Sequence, residues 1–102
     1  MTEDPATYEA PFNPDVKAQE LCSHSKIKVS EDMINTLSIN LDIGQQYGMN
    51  CHFVDGCNIY RITCHDENIF ECSNVSMLID FSWAIVFFME TYMEKTNDKE
   101  EG

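Results

Sequence analysis

Residues 49–64 read MNCHFV, then Asp55-Gly56, then CNIYRITC. Asp-Gly between two alternating apolar runs is the preferred pair for a two-residue type I′ hairpin, because both central residues take positive φ. Such a loop sets the pairing. Val54 faces Cys57, Phe53 faces Asn58, His52 faces Ile59 and Cys51 faces Tyr60. One face then carries Met49, Cys51, Phe53, Tyr60, Ile62 and Cys64 and reads as core, while the other is mixed.

Downstream, Asp66-Glu67-Asn68 suits a three-residue loop that pairs Cys64 with Phe70 and Ile62 with Cys72. Upstream, Leu37, Ile39, Leu41 and Ile43 alternate with Ser38, Asn40 and Asp42. Period two with β-branched members predicts a further strand over residues 36–43. A helical stripe of Met33, Leu37 and Leu41 competes, but it leaves Ile39 and Ile43 off its line. Gly44 and Gly48 then bracket a loop holding Gln45, Gln46 and Tyr47.

The flanks are helical. Asn13-Pro14-Asp15 places a capping side chain, a proline at N1 and an acid at the positive end of the dipole. It predicts a short helix over residues 14–23, with Val16, Ala18 and Leu21 inward. Ser30-Glu31-Asp32 caps one more helical turn through Met33 and Ile34. From Asn74 to about Lys95 the spacing changes to three and four, and Leu78, Phe81, Ile85, Phe88 and Tyr92 form an inward stripe. Asn74-Val75-Ser76 matches a glycosylation sequon, but Asn74 is read as the cap of this helix. Residues 1–12 read as an acidic arm, 13–95 as one domain and 96–102 as a solvated tail. The expected fold is α+β: a short N-terminal helix, an antiparallel meander of three or four strands, and a long C-terminal helix over one sheet face.

That last helix is too apolar for a lone sheet. Met77, Trp83, Ala84 and Phe87 lie off the inward stripe. Either the N-terminal helix or arm covers them, bringing Phe12, Tyr8, Val16 or Leu21, or they form an interface with a partner or a second copy.

The chain has 102 residues, with 18 Asp and Glu against 6 Lys and Arg, and a net charge of -12. Direct contact with nucleic acid needs clustered Lys and Arg, so that class is excluded, as are anionic membrane surfaces. The acids are spread along the chain: 7 fall in residues 1–35, 5 in 36–73 and 6 in 74–102. Solubility alone explains such a charge, and so does a basic partner protein. The N-terminus lacks a basic and apolar leader, and residues 75–89 are shorter and more polar than a membrane span needs. Five cysteines without a leader favour reduced thiols and a cytoplasmic location, in a host cytoplasm if the chain is viral.

Catalytic signals are sparse. Cys22-x-His24, Cys51-His52 and Cys64-His65 bring metal-binding residue types together, but no C-x₂₋₄-C pair exists and strand neighbours face opposite ways. The cysteines therefore read as small core hydrophobes. His52 and Cys57 can share a face diagonally across the hairpin near Arg61, which makes a Cys57/His52 thiol enzyme the weakest of three functional readings. No phosphate-binding loop, nucleophile elbow or metalloprotease motif is present, and no cofactor is implied.

The leading expectation is a non-catalytic acidic module that binds a basic protein. Trp83, Phe87 and Met77 would form the association surface, and Asp42, Asp55, Asp66, Glu67 and Glu71 would supply electrostatic complementarity. By size and charge alone it is analogous to small viral inhibitors that occupy the nucleic-acid-binding surface of a host enzyme. The second expectation is a dimeric acidic chaperone or adaptor, self-associating through the C-terminal helix and taking an extended partner segment by edge-strand addition.

Overall fold

The computed structural model describes residues 12–92. Its elements run α1 (Pro14–Ser23), α2 (Glu31–Gln45), β1 (Met49–Val54), β2 (Ile59–Cys64), β3 (Glu67–Cys72) and α3 (Val75–Tyr92). The three strands form an antiparallel meander in the order β1-β2-β3. α2 packs on β1 and α3 packs on β2 and β3, so one helical layer covers one sheet face, as an α+β domain requires. The expected arm apart from Phe12, the last three residues of the expected domain (93–95) and the expected tail lie outside the described residues.

α1 starts where its cap was predicted. Asn13 Oδ1 accepts from the backbone N–H of Asp15 at 3.0 Å and of Val16 at 3.2 Å. The buried side chains are Ala18, Leu21 and Cys22, an i, i+3, i+4 face. Val16 lies off that face and is exposed, contrary to expectation. The Tyr60 hydroxyl donates to the Leu21 carbonyl at 3.0 Å and ties the end of α1 to the sheet.

The expected strand over residues 36–43 is instead the middle of α2. Ser30 Oγ accepts from the Met33 N–H at 3.2 Å, and Glu31 and Asp32 fill the first turn. The cap seen in the sequence thus opens four turns of helix. The buried residues are Leu37, Ser38, Asn40, Leu41 and Gly44, a helical face that includes two polar side chains. Ile39 is exposed. Alternation failed because Ser38 and Asn40 find buried partners: Ser38 Oγ donates to Asp15 of α1, and Asn40 Nδ2 donates to Ser82 Oγ of α3 at 2.8 Å. Gly44, expected in a loop, closes the helix, where a Cβ would meet the Met49 side chain.

The chain turns into β1 at Gly48, whose φ is +89°. A Cβ there would meet the ring of His65, an exposed side chain that can swing aside, so it is the positive φ that favours glycine. The His65 N–H donates to the Gly48 carbonyl at 3.0 Å.

Both hairpins keep the predicted faces with a different register. Phe53 pairs with Tyr60 and Cys51 with Ile62, so the first loop has four residues, 55–58, and not two. Val54 O accepts from the N–H groups of Cys57 and Asn58, and Asn58, with φ 56°, takes the left-handed position instead of Gly56. At the second hairpin His65 and Asp66 form the turn, with φ 52° and 69°, in place of the expected three-residue loop. Cys64 pairs with Glu67, and a bulge then leaves Ile69 unmatched, so Ile62 meets Phe70 and Tyr60 meets Cys72. The first hairpin, and the second beyond its bulge, lie two residues from the expectation, while at Cys64, before the bulge, the slip is three. A slip of two preserves the face of every side chain, so Met49, Cys51, Tyr60, Ile62 and Cys72 are buried.

α3 is capped by Asn74, whose Oδ1 accepts from the Met77 N–H at 2.8 Å. Its buried residues are Val75, Leu78, Ile79, Ser82, Val86 and Met89. Of the expected stripe only Leu78 is buried. Ile85 is half-buried, and Phe81, Phe88 and Tyr92 are exposed. The true stripe is displaced by one residue, a rotation of about 100°, because Ser82 must face Asn40. The expected stripe favoured the aromatic side and did not include that serine.

Candidate association surface

The outward face of α3 is built from what the core does not take. Met77, Ala84, Phe87 and Phe88 are exposed, and Trp83 is exposed by 52% and Phe87 by 61%. The Trp83 and Phe87 rings lie 6.4 Å apart, and those of Phe88 and Tyr92 lie 5.0 Å apart. Phe81 is partly sheltered by Phe70 of β3 at 4.2 Å. α1 does not provide the cover considered for this face, because it packs against α2. Aromatic side chains bury roughly 150–250 Å² each, so a half-exposed set of this size presents several hundred Å², as large as the largest patch on an ordinary monomer. The length and composition of α3 also suffice for a membrane-crossing helix, although a third of it is buried in this fold.

The expected acidic set does not converge on this face. Asp42 is exposed on α2 and not on the sheet. Asp55 is in the β1–β2 loop, while Asp66 and Glu67 sit at the β2–β3 turn. These loops close opposite ends of the sheet, about 20 Å apart for six-residue strands. Glu71 is engaged within the fold. It accepts from Arg61 Nε at 2.9 Å and Asn68 Nδ2 at 2.8 Å, and these hydrogen bonds hold its carboxyl below the usual range. The acids that border the outward face are Asp80 and Glu90. With Trp83 and Phe87 they form a stripe spaced 3-4-3 along the helix, an aromatic pair between two carboxylates. Glu90 also accepts from the Tyr47 hydroxyl at 3.2 Å.

Beside this stripe lies a cleft of about 290 Å³ between α2 and α3. Thr36, Ile39 and Asn40 line one side, and Ile79, Asp80 and Trp83 the other. Asn40 is fully buried. Sequence reading missed it by assigning it to the polar face of a strand; a 3.6-residue template over Leu37, Asn40, Leu41 and Gly44 would have placed it inward.

The thiols are all free. Burial pushes the Cys51 thiol up to about 12 and raises those of Cys22, Cys64 and Cys72 as well, which keeps them protonated and inert. Cys57 is exposed in the first loop. The diagonal contact with His52 required a two-residue loop. In the observed register His52 faces Arg61, and its imidazole is contacted by Thr63 Oγ1 at 3.4 Å. Burial, then the charges of Lys17 and Arg61, lower the His52 pKa. Among the described residues, no three His, Cys, Asp or Glu side chains converge in the way that metal binding needs.

Comparison of the chain with protein families, with curated proteins and with solved structures finds no match to any of them.

Proposed function

We propose that the chain is a non-catalytic protein-binding module that docks on a basic partner protein through the outward face of α3. The observation that carries this reading is the stripe Asp80, Trp83, Phe87 and Glu90, which joins exposed aromatic rings to carboxylates on a chain of net charge -12. Aromatic residues carry interface energy in the desolvated centre, while rim carboxylates set orientation and encounter rate. An inhibitor that fills a nucleic-acid-binding surface is the finer form of this reading. In that form Asp80 and Glu90 act beside the rings, while Asp42, Asp55, Asp66 and Glu67 contribute a diffuse field.

A second copy of the chain is the second reading. Met77, Phe81, Ala84 and Phe88 repeat at 4-3-4 on the outward face, and the small Ala84 at their centre allows two antiparallel copies of α3 to approach. This would be the interface of a dimeric chaperone or adaptor.

One experiment separates them. Wild type and a Phe87→Glu/Phe88→Glu variant are immobilised and exposed to the same lysate of the source cell, with the solution mass measured by light scattering. A protein retained by wild type, lost by the variant and released by salt supports the basic partner, since screening weakens exposed charge pairs. Equal retention by both chains overturns it. A mass near twice 11.7 kDa that falls to one copy in the variant moves the assignment to the dimer.

A further inference from the structure

We infer that two copies of the chain pack antiparallel along the β3-side flank of α3, with Phe81 of each copy against Ala84 of the other, and that this contact leaves the Trp83 flank free for the basic partner. The inference rests on the second-copy reading and gives it a flank, a two-fold axis and a register.

The outward face of α3 has two flanks. Trp83 borders α2, where it lines the cleft with Ile39. Phe81 borders β3, where its ring lies 4.2 Å from that of Phe70. Met77, Ala84 and Phe88 continue the Phe81 line at spacings of four, three and four. Asp80, Trp83, Phe87 and Glu90 form the other line, about 110° away around the helix axis. One contact therefore need not cover the other.

Three observations make a second copy the occupant. The first is charge. Asp80 and Glu90 frame the Trp83 line, whereas the Phe81 line has no charged side chain. On a chain of net charge -12 a self-contact must keep carboxylates out, while a basic partner seeks them.

The second is the order of side-chain sizes. A two-fold axis midway between positions 82 and 83 runs the two helices antiparallel. Each Phe81 ring then enters the gap over Ala84 of the other copy. Met77 meets Phe88, a thioether on a ring, which is a favourable contact. The line is therefore complementary to itself when reversed. Run parallel, it would set Phe81 on Phe81 and leave a gap between two alanines.

The third is area. Met77 and Phe81 are each exposed by 40%, Phe88 by 54% and Tyr92, one turn beyond, by 73%. Side chains of this size have about 200 Å² each, so every copy offers roughly 400 Å² of surface on this flank. A pair removes about 800 Å² before Ala84, Phe70 and a polar rim are added, close to the ~1,000 Å² that a specific interface needs.

Sedimentation equilibrium of the full chain between about 1 and 300 µM tests the contact. The mass is expected to rise from 11.7 kDa to twice that value, with a dissociation constant in the micromolar range. Phe88→Glu is expected to weaken association about a hundredfold, because each copy then buries a carboxylate in an apolar contact. Phe87→Glu adds the same charge one residue away, on the other flank, and is expected to change it less than about threefold. Both side chains are exposed, so both variants keep the fold, which circular dichroism checks. Adding Met77→Lys to Phe88→Glu is expected to recover about fivefold, the worth of two partly exposed ion pairs across the two-fold. Those positions are eleven residues apart within one helix, so the recovery arises only between copies. Raising salt from about 0.05 to 0.5 M is expected to tighten the dimer about threefold by screening its like charges. The same salt releases a basic partner. A wild type that stays monomeric up to about 300 µM overturns the second-copy reading and this contact with it. A dimer that Phe88→Glu leaves intact, that Phe87→Glu weakens equally, that Met77→Lys fails to recover or that salt loosens overturns this contact alone.

Discussion

Residues 37–43 alternate apolar and polar side chains as regularly as β1 does, yet the first segment is the middle of α2 and the second is a strand. The difference lies in where the polar members go. In β1 the intervening Asn50 and His52 stay on the partly exposed sheet face, and Met49 and Cys51 enter the core. In α2 the polar Ser38 and Asn40 are buried with partners on α1 and α3, while the apolar Ile39 faces solvent. Alternation specifies a strand only when every polar member is content in water. A buried hydrogen bond across helices can outweigh one exposed isoleucine, because an unpaired buried polar group costs more than an apolar group left wet.

The junction between these two regions is the strongest place to break the comparison. Gly48 sits at positive φ, and a Cβ there would also displace the exposed His65 ring. Gly48→Ala is expected to destabilise the fold by about 2 kcal/mol, chiefly from backbone strain at positive φ, read as a lower urea midpoint. A loss no larger than that of an ordinary surface glycine would mean that the turn into β1 is not held there.

A smaller effect tests the helix half. Asn40→Ala removes two donated hydrogen bonds and also an orphaned acceptor, so the net loss is expected near 1.5 kcal/mol. An unchanged urea midpoint would mean that Leu37 and Leu41 suffice to hold α2 as a helix. The smallest effect belongs to the hairpin half. Gly56 has open space around it and is not in the left-handed region, so Gly56→Ala is expected to be neutral or stabilising by about 0.5 kcal/mol. A clear loss of stability would restore the two-residue turn read from Asp55-Gly56.

Much of the fold was legible because local chemistry carried it. Asn13, Ser30 and Asn74 each bond the backbone N–H groups that a helix start leaves over, and those caps are visible in any one sequence. The sheet faces were legible for a different reason: apart from the Cys64 end of the second hairpin, both registers were misread by two residues, and a period of two forgives that error. α3 is less forgiving. Its stripe was misread by a single residue, and at 3.6 residues per turn that moves Phe81, Phe88 and Tyr92 from the core to the surface. Of the association surface, Met77, Trp83 and Phe87 were readable as surplus apolar residues outside any one stripe. Asp80 and Asn40 were not, because their roles exist only where α2 and α3 lie side by side.

The sequence by itself therefore determined the helix starts, the meander, the core side of each strand and the surplus of apolar residues on α3. Each depends on contacts within a few residues, or on a periodicity that a small slip leaves intact. Only the tertiary structure decided that residues 37–43 are helical and which way α3 is turned. Both follow from the pairing of Asn40 with Ser82, 42 positions along the chain. That hydrogen bond has no local signature, and its worth comes from the burial that the packed helices create.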